Sequence, residues 1–321
     1  MLARIPIAES DPAVAVASGW NATWNSVRQN PAAAVGSLIL ITLAVVAVFA
    51  PLAAPDNIHE QVGAPFTPPS FSHLLGLDDG GIDMVSLLIW GCRISLLIGI
   101  LAAIVATTAG TLVGIVAGYI GGLVDGTLMR ITDYFLVLPS LAVMIVVADL
   151  WGPSLLHIII VIGLLSWPET ALVIRAQARS IKERVFVRRA RSLGARETRI
   201  MLRYVLPQVM PLVVANAVLT AAGAIFTETA LSFLGLGDPS QISLGRIIEN
   251  AFNATAMTAG AWWAIVPPGI LVAVIVLACS LVGRAIEDAL NPRLRVAHLG
   301  ARAFRIRTKR PGDAADSAHI G

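Results

Sequence analysis

Charge is scarce in this chain. Asp, Glu, Lys and Arg make up 13% of its 321 residues, against roughly 25% in a typical soluble domain, while 56% are hydrophobic. Such a chain cannot cover a globular surface with polar side chains, so an integral membrane protein is expected. Lysine is almost absent. Neither Lys182 nor Lys309 follows the glycine-rich run of a G-x-x-x-x-G-K-[ST] loop, which excludes a phosphate cradle of that kind. Cysteine is limited to Cys92 and Cys279, far apart and each in or beside an apolar run. That gives no disulfide framework and no metal-ligand spacing, and both read as small apolar residues. The net charge of +3 is small, and its cations gather at the ends of apolar runs and in one tail, so a nucleic-acid surface is not indicated. The first 30 residues are polar and the first apolar run is long enough to span, so no cleavable signal peptide is expected.

What is present is a series of long apolar runs. At about 20 residues per span, the sequence predicts an all-α polytopic protein with six transmembrane helices near residues 32–54, 93–118, 128–150, 155–175, 209–234 and 262–283. Together they form a membrane domain over 32–290, with an N-terminal arm at 1–31 and a basic, partly disordered tail at 291–321. Small residues Gly99, Ala103, Gly110, Gly114 and Gly118 recur on the second span as a packing face. A short amphipathic helix is expected between Ser243 and Phe252. Orientation follows from the cations: with both termini cytoplasmic, every Lys and Arg except Arg93 and Arg246 falls on the inner side, and the segment 55–85, acidic and without Lys or Arg, falls outside.

The longest charged stretch between apolar runs is 176–207, AQARSIKERVFVRRARSLGARETRIMLRYVLP, whose many arginines are opposed only by Glu183 and Glu197. Gly194 divides it into two helix-compatible arms. Pro207 is expected to stop the second arm where the next apolar run begins, since proline cannot donate the next helical hydrogen bond. Arg184, Arg188 and Arg191 fall on one side of the first arm, with Val185, Ala190 and Leu193 elsewhere on the wheel; Arg196, Arg199 and Arg203 form a stripe on the second. Taken by its charge, the stretch is a cytoplasmic loop retained inside; taken by its shape, it is a hairpin for a lipid surface or a groove on another protein.

The order of its residues resembles the cytoplasmic coupling loop of the inner-membrane subunits of bacterial ABC importers: Glu-Ala-Ala, three residues, Gly, nine residues, Ile, one residue, Leu-Pro. Arg188, Arg189, Ala190, Gly194, Tyr204, Leu206 and Pro207 occupy these positions at full spacing, with Arg188, Arg189 and Tyr204 in place of the Glu, the first Ala and the Ile. Ala195 follows the glycine. HLLGLDDGGIDMVSLLIWGCRISLLIG at 73–99 resembles the H-P-L-G-T-D-x-x-G-R-D pattern before the second span in the dipeptide, oligopeptide and nickel class. ETALSFLGLG at 228–237 and DALNPRLR at 288–295 are similar to two further signatures of that class.

The resemblance implies a C-type permease subunit with a type I ABC importer fold. It implies as partners a second permease subunit, two ATP-binding subunits that hold ATP and Mg, and an extracytoplasmic substrate-binding protein. No cofactor and no metal bound by this chain is expected. The hairpin would transmit closure of the ATPase subunits through arms centred on Gly194. Buried acids are default functional candidates in a membrane, so Glu228, with Thr220, Gly223 and Thr227 before it, is a candidate for the substrate path. Counting about 1.5 Å per residue from Val209 puts Glu228 roughly 29 Å along its span, near the outer interface, which favours a gate or helix contact over direct binding. Asp149 and Glu169 are further acids near outer or mid-span positions. The competing classes are an ion-coupled secondary transporter, which usually shows inverted repeats and central ionisable groups, and a non-transporting scaffold.

Overall fold

The computed structural model describes residues 30–290 apart from 55 and 59; the expected tail at 291–321 and all but the end of the arm at 1–31 lie outside the described residues. Among the described residues the regular structure is helical. Helix α1 (Pro31–Val48) starts from an Asn30 side chain that accepts from the Ala32 amide at 3.0 Å, with Pro31 at the first helical position, where a missing N–H costs nothing. A short turn, α2 (Ala50–Ala53), follows.

Helix α3 (Met84–Ile120) begins nine residues before the expected start at Arg93, because Asp83 caps it: the Asp83 carboxylate accepts from the Ser86 amide at 2.9 Å. No proline interrupts its 37 residues, so at 1.5 Å each it is about 55 Å long and overshoots a hydrocarbon layer of about 30 Å. Helix α6 (Leu155–Lys182) lies along it. The stripe of small residues is the reason for the close approach. A Cβ on Gly110 would stand 2.6 Å from the Trp167 carbonyl oxygen, and one on Gly114 2.7 Å from that of Ala171.

The expected third span is bent. Helices α4 (Gly122–Val137) and α5 (Ser140–Trp151) meet at 84° across Leu138 and Pro139. Leu138 is held extended (φ −66°, ψ 133°) by the proline that follows it, so the first helix ends there. Among the described residues there are therefore five helices long and apolar enough to cross a membrane, or six if the bent pair counts as one span.

A second correction concerns Pro207. The arm does not end there: helix α8 (Glu197–Ile200), a π-helical turn (Met201–Val205), α9 (Leu206–Leu231) and a second π-helical turn (Ser232–Leu236) form one run of 40 residues. The wide turn, with the Leu206 amide donating to the Met201 carbonyl, takes up the residue that lacks a donor without breaking the helix. The first arm is likewise shorter than expected, since residues 176–182 continue α6 and only α7 (Val185–Ser192) is separate. The amphipathic helix forms as α10 (Leu244–Asn253), capped by the Ser243 hydroxyl on the Arg246 amide at 3.3 Å. After a 3₁₀ turn at Trp262–Ala264, α11 (Val266–Leu290) packs between α9 and α1. Cys92 and Cys279 are both free and buried in one apolar cluster.

Candidate functional site

The bundle carries two candidate features. At one end is the basic hairpin. Helix α7 stops in a Schellman turn: the Ala195 amide donates to the Ala190 carbonyl (3.1 Å) and the Gly194 amide to that of Arg191 (3.0 Å), with Gly194 at φ +80°. Only glycine takes that left-handed conformation without strain, which is why the bend falls here. Val187 and Ala190 turn inward onto Ile181, Ala178, Ile200 and Val205, and Ala195, Tyr204 and Leu206 pack against the same cluster. Of the sequence-expected coupling residues, Ala190, Ala195, Tyr204 and Leu206 therefore hold the hairpin to the bundle. Arg188 and Arg189 are exposed.

The wheel expected from sequence needs adjustment. Val185 (56% exposed) and Leu193 (88% exposed) share the open face of α7 with Arg188 and Arg189, so that face is both apolar and cationic. Arg191 instead turns back to Glu197, with Nε 3.0 Å from Oε1. Tyr119, at the end of α3, donates its hydroxyl to Glu197 and accepts from Arg191 at 3.2 Å. The hydrogen bonds to Tyr119 and Glu197 raise the Arg191 pKa further above its ordinary value, so its charge is secure. Nearby, the Arg175 guanidinium grips Asp125 at 2.5 and 2.7 Å, joining α6 to α4. The hairpin is thus bolted to three long helices. Sequence reasoning missed the Tyr119–Arg191–Glu197 clamp; the signal was Glu197, an acid in an otherwise basic arm.

The second feature is a cavity of about 380 Å³ between α4, α5, α6 and α9. The break at Pro139 opens it, and Ser140, Ser166, Glu169, Asn216, Thr220 and Thr227 line it on the polar side. Irregular backbone inside a membrane is tolerated where it faces protein or a cavity, as here. Three of the four sequence-expected path residues, Thr220, Gly223 and Thr227, come together on this wall. Glu228 does not. It is fully buried, accepting from Ser95 at 3.0 Å and Ser232 at 2.7 Å, and Ser95 in turn accepts from the Leu244 amide at 3.2 Å. These bonds tie α9 to α3 and α10. Asn216, which donates to Thr170 at 2.6 Å, was missed, although an amide in the middle of an apolar run is a legible signal.

At the end of the bundle away from the hairpin, Asp238 fixes the start of α6, accepting from the Leu155 amide at 2.9 Å and from Ser240 at 2.7 and 2.8 Å. Burial acts to raise its pKa, but these hydrogen bonds and nearby Arg246 outweigh it and hold the carboxyl below its ordinary value. His73, Asp56 and Asp83 gather at the same end, with His73 Nδ1 3.3 Å from Asp83 and 3.9 Å from Asp56, fastening the segment before α3 to that helix's capping residue.

A helical bundle with a bent span, a polar cavity and a basic hairpin tied to several helices has the parts of a membrane permease subunit. Residues 110–296 match the family described as "Binding-protein-dependent transport system inner membrane component", and the chain belongs to it. Residues 18–69 match the "N-terminal TM domain of oligopeptide transport permease C". The chain is 34% identical over 273 residues to the dipeptide transport system permease protein DppC of Bacillus subtilis, covering 85% of each. It is 37% identical over 280 residues to the protein of the same name from Escherichia coli, covering 85% of this chain and 92% of the relative. With the di/tripeptide transport system permease protein DppC of Pseudomonas aeruginosa the identity is 34% over 294 residues, 89% and 96% of the two chains. The protein is accordingly a multi-pass permease subunit of the bacterial inner membrane and of ABC importer type; such subunits are not themselves enzymes.

Proposed function

We propose that this chain forms, with a second permease subunit of similar fold, the membrane path of an ATP-driven importer of dipeptides or oligopeptides. An extracytoplasmic binding protein delivers the peptide. ATP and Mg are bound by two partner ATPase subunits, since neither lysine of this chain sits in a phosphate-binding loop. Both termini and the hairpin lie on the cytoplasmic side, in keeping with the concentration of arginine there. The peptide specificity rests on the names of the three relatives above, two dipeptide permeases and one di/tripeptide permease.

The observation that carries the coupling role is the pairing of an open apolar and cationic face on α7 with a bolted inner face. Leu193, Val185, Arg188 and Arg189 are available to a cleft on an ATPase subunit, while Val187, Ala190 and the Tyr119–Arg191–Glu197 clamp pass displacement to α3, α6 and α9. Closure of the partner on ATP then biases the bundle between two arrangements. On the same reading, Thr220, Gly223 and Thr227 border the substrate path.

Affinity purification of this chain from native membranes tests the proposal. A second permease and an ATPase are expected to come with it, and proteoliposomes holding the whole assembly and its binding protein should take up dialanine only with ATP inside. Uptake by this chain alone, driven by an ion gradient, would replace the reading with that of a secondary transporter.

A further inference from the structure

Among the described residues, Glu169 is the one charged side chain lining the cavity between α4, α5, α6 and α9. It is the fifteenth residue of the 28-residue α6, about 21 Å from the start of that helix and about 9 Å before Arg175, where the expected span ends, so it sits inside the span toward its hairpin end. No hydrogen bond or ion pair reaches its carboxylate from any described residue, and it is exposed to the cavity. A charge at the centre of a span costs about 2.5 to 3.5 kcal/mol or more, and one between the centre and the end carries a part of that cost. The other acid of the bundle interior shows what a structural role looks like: Glu228 is sealed from solvent and held by Ser95 and Ser232. Glu169 has no such partners among the described residues, so nothing there offsets its cost.

The groups around it are neutral and able to both donate and accept: Ser140, Ser166, Asn216, Thr220 and Thr227. The cavity volume of about 380 Å³ lies within the roughly 300–1,000 Å³ of small-ligand sites. A single carboxylate among hydroxyls and an amide is complementary to a ligand with one cationic end and a polar, uncharged middle. We infer that Glu169 receives the α-ammonium group of a peptide in transit, with the Ser, Thr and Asn groups on the same wall serving its amide bond. This rests on the peptide-import reading above and assigns to that path a residue that selects for a free amino terminus. Leu138 and Ser140, on either side of Pro139, also line the cavity, so a peptide held at Glu169 lies beside the break in the bent span.

The test uses the complete importer, with both permeases, the ATPase subunits and the binding protein saturated with dialanine, in proteoliposomes. Glu169→Gln, which keeps the shape and removes the charge, is expected to lower the maximal uptake rate about tenfold, the scale of one charge-assisted hydrogen bond. Recovery of the second permease on purification should stay unchanged, and Glu169→Asp should restore most of the uptake. Uptake by Glu169→Gln within twofold of the unmodified complex would overturn the inference. So would loss of the second permease from the Glu169→Gln complex, which would make Glu169 half of an ion pair between subunits. If the unmodified complex takes up no dialanine at all, the peptide-import reading falls first and this assignment with it, an outcome the control reports before any variant is scored.

Discussion

Gly194 offers a clean separation of backbone strain from side-chain bulk. Its φ of +80° lies in the left-handed region, and a Cβ built there meets no atom within 4 Å. Substitution therefore introduces no clash, and the whole cost is conformational. An L-residue in that region loses about 1 to 2 kcal/mol relative to glycine, asparagine less because its short polar side chain bonds locally, and a β-branched residue the most. One or two kcal/mol is a factor of about 5 to 30 in the population of the bend. The expected order of damage is thus Gly194→Asn, then Gly194→Ala, then Gly194→Val, although Asn and Val differ little in size. What fails is the Schellman turn, with its bonds from Ala195 to Ala190 and from Gly194 to Arg191, so α7 and its open face lose their fixed orientation. In the full complex the number of peptides imported per ATP hydrolysed should fall in that order, with membrane insertion and assembly intact. Amide hydrogen exchange at 190–195 should rise in parallel. If Gly194→Val couples as well as Gly194→Asn, the backbone argument is wrong.

At Gly114 the opposite holds: a side chain meets the Ala171 carbonyl oxygen at 2.7 Å, so Gly114→Leu should push α3 from α6 and lower the yield of folded protein on gel filtration, whereas Gly126→Ala, with open space around it, should not. Glu228→Leu removes the acceptor of the Ser95 and Ser232 hydroxyls and should destabilise the protein by about 1 to 3 kcal/mol for each hydroxyl left unpaired, read as a lower melting temperature in detergent. Glu228→Gln keeps an acceptor and should leave uptake near normal, which a substrate-binding acid would not allow. Asp238 has a pKa held below its ordinary 3.8, so its contribution is complete above that value and is lost as pH falls through the lower folded one. Melting temperatures of Asp238→Asn and the unmodified protein should differ at pH 6 and converge as pH drops below 3.8, and a constant difference would count against the role of that carboxylate.

Much of this protein was legible in the order of its residues. Apolar runs of membrane length, broken by one arginine-rich stretch, fix a polytopic helical chain, because neither lipid nor water accepts the wrong kind of side chain over about 20 positions. Gly110 and Gly114 announced a close helix contact, and Gly194 a bend, since each marks a place where a Cβ is in the way or the backbone turns left-handed. Tertiary contact decided the rest. Pro207 has the local chemistry of a helix stop, yet a π-helical turn carries the chain through it because Val205 and Val209 are buried in the same cluster as α7. Arg188 and Arg191 look equivalent on a wheel, but only Arg191 finds Glu197 and Tyr119, the latter 72 positions away. Glu169 and Glu228 are both acids in apolar helices. What separates a buried tie from an open, unpaired charge is the set of neighbours that folding brings to each, and a linear pattern holds no record of atoms that meet only across the bundle.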